Sequence, residues 1–453
     1  MKKSSAMRAP IWYNDNSHKT NTKGVHCTMS NYTTLGSNLK RGILNYSKKI
    51  SNSLTRPKMK FVVEMLYGIL ASGSCLLSEI SRKLNEDIPL IKTINRLSRN
   101  LNTLDEKEAN QLWENYLHSI QNRYDTKSVI IIDGSDITKK ASTKLEGLCQ
   151  VRDGSTGEIG TGYHTIGAAI LSSDRKLPYG IYSRIYSSEE EGFVSENAEM
   201  LDCFKYLTAH FDKNHIRTID RGFDNNTYYS YFIEHKENFI IRAKQNRNVI
   251  YKGESINILK LANKFKGKYR MDYQKKDGRS GSVKISMIPV ELPEFRGTTL
   301  QLVIVHGFGQ IPMMLLTNLK PDDKRLGVTI CKVYLMRWRI EEYFKFKKQS
   351  FDFENLRVQS LQSIRNLDLL LTIAIGYISE LSNKPDYIRM RLEMIQVSKR
   401  IFGAPDFVYY AIAYGIVEIL KLIRSSISSL FSIPAWDGQL PLFDDSDLDF
   451  GET

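Results

Sequence analysis

Apolar and polar positions divide the chain into stretches of different period. At 128–132 the sequence reads SVIII, a continuous apolar run too short for a typical helix and rich in β-branched residues, and it stops at Asp133. A second run, 216–219 within HIRTIDRGFDNN, stops in the same way at Asp220, and a helix is expected from about Asp224 or Asn225. Further strands are expected at 162–171 and 180–186, with a helix at 197–211 between them and the second run. Upstream, 61–76 shows helical spacing, Ser78 is placed to cap 79–84, and NEDIP makes a turn before a helix over 90–101. From 245 to 312 the pattern returns to strands, with SVKISMIPVEL and LQLVIVHGF divided by QKKDGRSG and EFRG turns. The stretch 328–351 contains neither Gly nor Pro and is expected to be one helix. Beyond it, LDLLLTIAIGYI and FVYYAIAYGIVEILKLI are apolar helical segments too interrupted by charge to be spans, so they predict helix packing or a dimer interface.

This alternation predicts an α/β protein in several parts. Residues 1–28 read as a leader outside any domain, 29–125 as a helical domain, 126–355 as an α/β domain, 356–435 as a helical region and 436–453 as an acidic tail. The chain of 453 residues is long enough for such a division.

Charge narrows the partner. The formal net charge is +14 and the pI near 9.3. Residues 1–60 hold twelve Lys or Arg against the single acid Asp15, a net +11 and most of the total. A polyanion, nucleic acid before membrane, fits that balance. No apolar run reaches the ~18–20 residues of a membrane span, and the N-terminus lacks a signal-peptide apolar core. Five scattered cysteines, at 27, 75, 149, 203 and 331, form no CxxC or Cys/His cluster and argue against zinc fingers and disulfide scaffolding. Reduced thiols in a cytoplasmic protein are the simple expectation.

Candidate chemistry gathers in YLMRWRIEEYFKFKK, where Tyr334, Arg337, Glu341 and Lys348 are spaced Y-x2-R-x3-E-x6-K. Wound as a helix, these side chains and Lys345 fall within about 80° of one another, so one face carries a phenol, a carboxylate and three cations. A solvated charged face is the plain alternative. On the helix over 90–101, Lys92, Asn95, Arg96 and Arg99 share a face that could contact DNA, while Ile91, Ile94, Leu97 and Leu101 are expected to pack inward.

The Y-R-E-K spacing, the WRIEE around Glu341, and the strand-end Asp133 and Asp220 in IIDGSD and TIDRGFD resemble the IS4 group of bacterial insertion-sequence transposases. In that group the Glu is the third member of a DDE metal-binding triad. The resemblance implies an RNase H-like catalytic core interrupted by a β-rich insertion, here about 245–312. The 121 positions from Asp220 to Glu341, against 87 from Asp133 to Asp220, leave room for that insertion. It further implies that Asp133, Asp220 and Glu341 bind two Mg²⁺ ions, with Mn²⁺ as a possible substitute. Three hard oxygen donors suffice for such ions because they retain waters and take phosphate oxygens.

By the same resemblance Tyr334, Arg337, Lys345 and Lys348 grip phosphates beside the scissile bond, and Arg242, Lys244 and Arg247 in FIIRAKQNR are candidate DNA contacts. Asp136, Asp224 and Glu342 lie off the family pattern. The implied activity is cut-and-paste transposition on double-stranded DNA, both terminal inverted repeats and target, by a homodimer. A departure concerns the hairpin route, whose users carry a Trp where IPMMLLTN has Met313. A thioether is a poor substitute for base stacking on an aromatic face, worth about 1–3 kcal/mol per base. Two alternatives share much of this reading: an RNase H-like endonuclease without strand joining, and a non-catalytic repeat-binding repressor.

Overall fold

The strand expected at 128–132 does not end at Asp133. It runs from Val129 to Thr138 (β1), and its polar second half is half-buried because it continues to pair with a neighbouring strand. The computed structural model describes residues 29–139, 142–154, 156–174, 176–274, 280–320, 325–383, 387–398 and 407–423. The expected leader and acidic tail lie outside these residues.

Five helices precede β1: α1 (Met29–Ile50), α2 (Arg56–Ser72), α3 (Leu77–Leu84), α4 (Leu90–Asn102) and α5 (Glu106–Ile120). The cap of α3 is Leu76 rather than the expected Ser78. Asp105 and Glu108 close a reciprocal capping box on α5. After β1 come β2 (Cys149–Arg152), β3 (Ile159–Leu171), β4 (Pro178–Tyr186), α6 (Glu196–His210), β5 (Ile216–Ile219), α7 (Asn226–Glu234) and β6 (Phe239–Arg242). Then follow β7 (Asn248–Tyr251), β8 (Glu254–Asn257), α8 (Ile258–Ala262), β9 (Tyr269–Gln274), β10 (Ser280–Val290), β11 (Leu300–His306) and β12 (Met313–Thr317). The described chain closes with α9 (Leu326–Leu335), α10 (Trp338–Ser350), α11 (Leu361–Asn383), α12 (Ile388–Val397) and α13 (Tyr409–Lys421).

The result is a mixed α/β architecture around a ten-stranded sheet, ordered β2-β3-β1-β5-β6-β12-β11-β10-β9 with β4 also on β3. β1 is antiparallel to β3 and parallel to β5, and β5 is parallel to β6. Most strands of the expected insertion do not form a separate sheet. β12 pairs antiparallel with β6 and carries β11, β10 and β9 outward, so they lengthen the core sheet, and only the β7–β8 hairpin stands apart.

Both faces of β1 are covered, which is why Val129, Ile130, Ile131 and Ile132 are all fully buried. Ile130 and Ile132 join an apolar cluster that also holds Leu39 of α1, Leu66 of α2, Phe346 of α10, Leu371 of α11 and Ile416 of α13. Val129 and Ile131 face the opposite cluster, with Ile330, Tyr334 and Ile340. The helices at the two ends of the described chain thus share one core with the sheet. Among the described residues no single helix is long and apolar enough to cross a membrane.

A buried ion pair fixes the helix that carries Glu341. Lys347 Nζ lies 2.5 Å from Asp368 Oδ1 and donates to Thr372 Oγ1, while Ser183 Oγ donates to the same carboxylate, tying α10 to α11 and β4. Close backbone approach fixes β1. A Cβ on Gly162 of β3 would sit 2.0 Å from the Ile137 carbonyl oxygen. Backbone cannot yield as a side chain can, so Gly162→Ala is expected to lower stability by about 3 kcal/mol, read as a lowered denaturant midpoint at unchanged slope. A midpoint equal to wild type would show that β1 and β3 are not packed this closely.

Candidate active site

Parallel pairing between β1 and β5 ends at Ile132 opposite Ile219. The next residue on each strand is a carboxylate, so Asp133 and Asp220 emerge side by side where β5 stops. Asp133 occupies mid-strand rather than the strand tip that the apolar run suggests, and Asp220 opens the short turn Arg221–Phe223.

Glu341 comes from a helix that does not form as one piece. The stretch expected to be continuous breaks at Met336 and Arg337, between α9 and α10. Around the break Arg337 N–H donates to Tyr334 O, Arg339 N–H to Met336 O and Ile340 N–H to Arg337 O, so the chain is wound more tightly than an α-helix. No Gly or Pro causes it; the side chains anchored there supply the constraint.

Those anchors are specific. Arg337, only 3% exposed, donates Nη1–H to Asp133 Oδ2 and Nη2–H to Glu341 Oε1 at 2.7 Å, and Nη2 lies 3.8 Å from Asp220 Oδ1. One guanidinium therefore touches all three carboxylates. Its Nε is buried without a hydrogen-bond partner among the described residues, and the Tyr334 and Trp338 rings lie 5.9 and 5.6 Å away. Tyr334, buried, donates its hydroxyl to Asp220 Oδ1 at 2.8 Å. The two residues expected to grip phosphates are instead turned inward onto the carboxylates.

The environment separates the acids. Burial pushes Asp133 up to about 7; the Arg337 charge opposes this, while Asp220 and Glu341 reinforce it. Burial also acts to raise Asp220, but Arg337, the Arg221 backbone N–H, the Tyr334 hydroxyl and Arg242 together hold it below the usual carboxylate range. Glu341 is raised, chiefly by burial. A raised Asp133 means that the folded state holds a proton which the unfolded chain has released, so its contribution to stability falls from about pH 4 to about pH 7 and levels off above. In chelator, wild-type stability relative to Asp133→Asn is expected to decline across that window in thermal melts. A difference that grows with pH would exclude the assignment.

The other expected contacts divide. Lys345 and Lys244 are exposed. Lys348 is 3.1 Å from Glu354 and 3.6 Å from Asp136, which also accepts from Thr138 and the Gly154 N–H. Arg242, at the end of β6, acts on Asp220 by its charge. Arg247 is committed to Asp224, donating Nε–H at 2.8 and 3.0 Å, and to Asn226 at 2.7 Å, with its guanidinium over the Tyr229 ring.

Buried Asp224 also accepts from Tyr229 and from the Lys244 N–H, so it braces the turn after Asp220 against the segment leaving β6. The second Asp of D-R-G-x-D, which lies off the family pattern, thus holds the backbone beside Asp220. On α4, Lys92, Asn95 and Arg99 are exposed, but Arg96 turns inward to Glu64 and Glu86. Ile91, expected inside, is 59% exposed.

Three carboxylates are the donor set that a hard divalent cation takes, and they converge within reach of one guanidinium. Among the described residues no group of three or more His, Cys, Asp or Glu side chains is arranged to hold a metal ion, because here the carboxylates are spread around Arg337. The residues fit such an ion by chemistry, and Asp133, Asp220 and Glu341 would be the ones to hold it.

No curated protein matches the chain. A solved structure of a piggyBac transposase synaptic complex with hairpin DNA is similar at 10% identity and a TM-score of 0.45, over 90% of this chain and 83% of that one. The transposase DDE domain family matches residues 124–376, more than half of the chain and a span that contains all three carboxylates. The chain therefore belongs to the transposase DDE domain family.

Proposed function

We propose that the protein is a DNA transposase of the IS4 type, in which Asp133, Asp220 and Glu341 form the catalytic triad. The observation that carries this reading is their convergence on one guanidinium from β1, from the end of β5 and from α10. The order β4-β3-β1-β5-β6, three antiparallel strands and then two parallel ones with helices between, supports an RNase H-like core extended by the insertion strands. In this reading 29–125 is the DNA-binding part, 126–355 the catalytic part and 356–435 a region for dimerisation. The partners are terminal inverted repeats and target duplex.

The three carboxylates would hold two Mg²⁺ or Mn²⁺ ions, whose chemistry is activation of an attacking oxygen and stabilisation of a leaving one at phosphorus. The chain's own residues orient the donors. Tyr334 fixes the rotamer of Asp220, and the Asp224–Arg247 brace holds the turn that follows it. The Lys347–Asp368 pair fixes α10 and with it Glu341. Exposed Lys345 and Lys244 are left for phosphates. Met313 is buried at the start of β12 and the Phe308 ring lies 5.2 Å from that of Tyr273, so packing accounts for both positions.

The test is to incubate the protein with Mg²⁺ and a labelled duplex carrying the element's own terminal repeat, and to follow nicking and strand joining. Repeat-dependent products of both kinds support the transposase. Cleavage without repeat dependence or joining indicates the endonuclease, and tight repeat binding with no cleavage indicates the repressor.

A further inference from the structure

Helix α4 is held in place by polar groups on its inner side. Arg96 reaches Glu64 of α2 at 2.5 Å and Glu86 of the preceding turn at 2.8 Å, and Thr93 Oγ1 donates to Glu86 at 2.7 Å. Thr93, Leu97 and Leu101 are buried beside this clamp. With the helix's rotation fixed, its outer face carries Ile91, Lys92, Asn95 and Arg99, and Ile88 stands in the turn before it, 45% exposed. Ile91, Lys92, Asn95 and Arg99 form one continuous stripe on α4, and Ile88 precedes the helix in the turn before its Pro89 cap.

That stripe is unusual for solvated surface. Two isoleucines lie in the open beside an amide and two cations, and no residue of α4 is acidic. Asp87 in the turn is the neighbouring exposed acid. An apolar group at the N-terminal end of a helix, an amide one turn on and cations beside them match what a major groove offers: thymine methyls, adenine edges and phosphates.

We propose that this face of α4 reads A·T base pairs in the major groove of duplex DNA. Asn95 contacts adenine N6 and N7, Ile91 packs on a thymine methyl, with Ile88 widening the apolar contact, and Lys92 and Arg99 bind flanking phosphates. Arg96, despite its place in the sequence pattern, takes no part and serves as the clamp. The assignment rests on the reading of the protein as a DNA transposase and adds to it which residues read sequence and which base pairs they read.

The experiment selects from a pool of random 20-base-pair duplexes with the full chain, then measures affinity for the winning duplex by anisotropy. Wild type is expected to enrich a motif containing A·T pairs. Asn95→Ala and Ile91→Ala are expected to lose about 10–100-fold affinity for it while keeping their binding to unrelated duplex. Replacing individual thymines by uracil removes only the methyl; at one position it should weaken wild type several-fold and leave Ile91→Ala unaffected. Arg99→Ala should weaken all duplexes alike and reduce the salt slope by about 1.

Because Ile91 and Asn95 are exposed, both variants should melt with wild type, and sedimentation should show unchanged assembly. Enrichment of a motif that both variants retain would overturn the proposal by placing readout elsewhere. An altered oligomeric state in Ile91→Ala would overturn it in favour of a contact between copies of the chain. Absence of any duplex binding by wild type would instead remove the transposase reading on which it rests.

Discussion

Glu341→Gln is expected to reduce strand cleavage by on the order of 10³-fold or more while leaving the fold and duplex binding near wild type. The substitution keeps the side chain's shape and removes one of the three charges that the proposed chemistry needs. It also weakens the contact with Arg337, but the Glu341 side chain is 40% exposed and the pair is an i,i+4 contact, so the loss of stability should stay below about 1 kcal/mol. Glu342 is the matched control. It is adjacent in sequence, lies off the triad spacing and is 3.5 Å from Arg339, so Glu342→Gln should change the rate only a few-fold. Equal losses in the two variants, or a Glu341→Gln enzyme that still cuts at the wild-type rate, would remove Glu341 from the triad.

How much of this site could be read in the chain depends on the range of the forces that build it. The apolar runs before Asp133 and Asp220 are local signals, and the side-by-side emergence of the two carboxylates follows once the runs are paired in parallel. The extension of β1 to Thr138 was not legible, because GSDIT is polar and its pairing partner on β3 begins more than twenty residues away. The same holds for the insertion. Its strands are visible as alternating segments, but that β12 pairs with β6 and joins them to the core sheet is a long-range fact.

On α4 the expectation failed in an instructive way. Wheel geometry groups Ile91 with Ile94 and Leu97, yet burial is decided by the Arg96 contacts to Glu64, 32 positions earlier, and to Glu86, 10 positions earlier. Arg96 is 28% exposed, but its partner Glu64 is buried, and leaving that carboxylate unpaired would cost more than exposing one isoleucine, which forfeits at most about 3 kcal/mol of burial. Likewise the Y-R-E-K spacing was legible, whereas the break at Met336 and Arg337 was not. It arises where Tyr334 reaches Asp220 and Arg337 reaches the triad, contacts more than a hundred positions apart.

Arg337→Met should have the largest effect on the stability of the protein in chelator, a loss of about 3–5 kcal/mol, because it deletes the buried cation on which three carboxylates converge. Met keeps the volume of the stem but supplies no charge, so Asp133 is pushed to favour its protonated form still more strongly. Arg337→Lys restores a charge without the fork that reaches several carboxylates together, and should fall between the two.

Divalent cation then becomes a discriminating reagent. If the carboxylates are the metal donors, Mg²⁺ binding to the folded state should restore part of the lost stability, about 2.7 kcal/mol at a hundred times the dissociation constant. Wild type, whose site already contains a cation, should gain less from the same addition. The midpoint of denaturant unfolding, measured with chelator and with Mg²⁺ for the three proteins, separates the possibilities without reference to catalysis. A Met variant as stable as wild type in chelator would mean that Arg337 does not carry the charge of the triad. A Met variant that is destabilised but indifferent to Mg²⁺ would mean that the three carboxylates do not form the metal site.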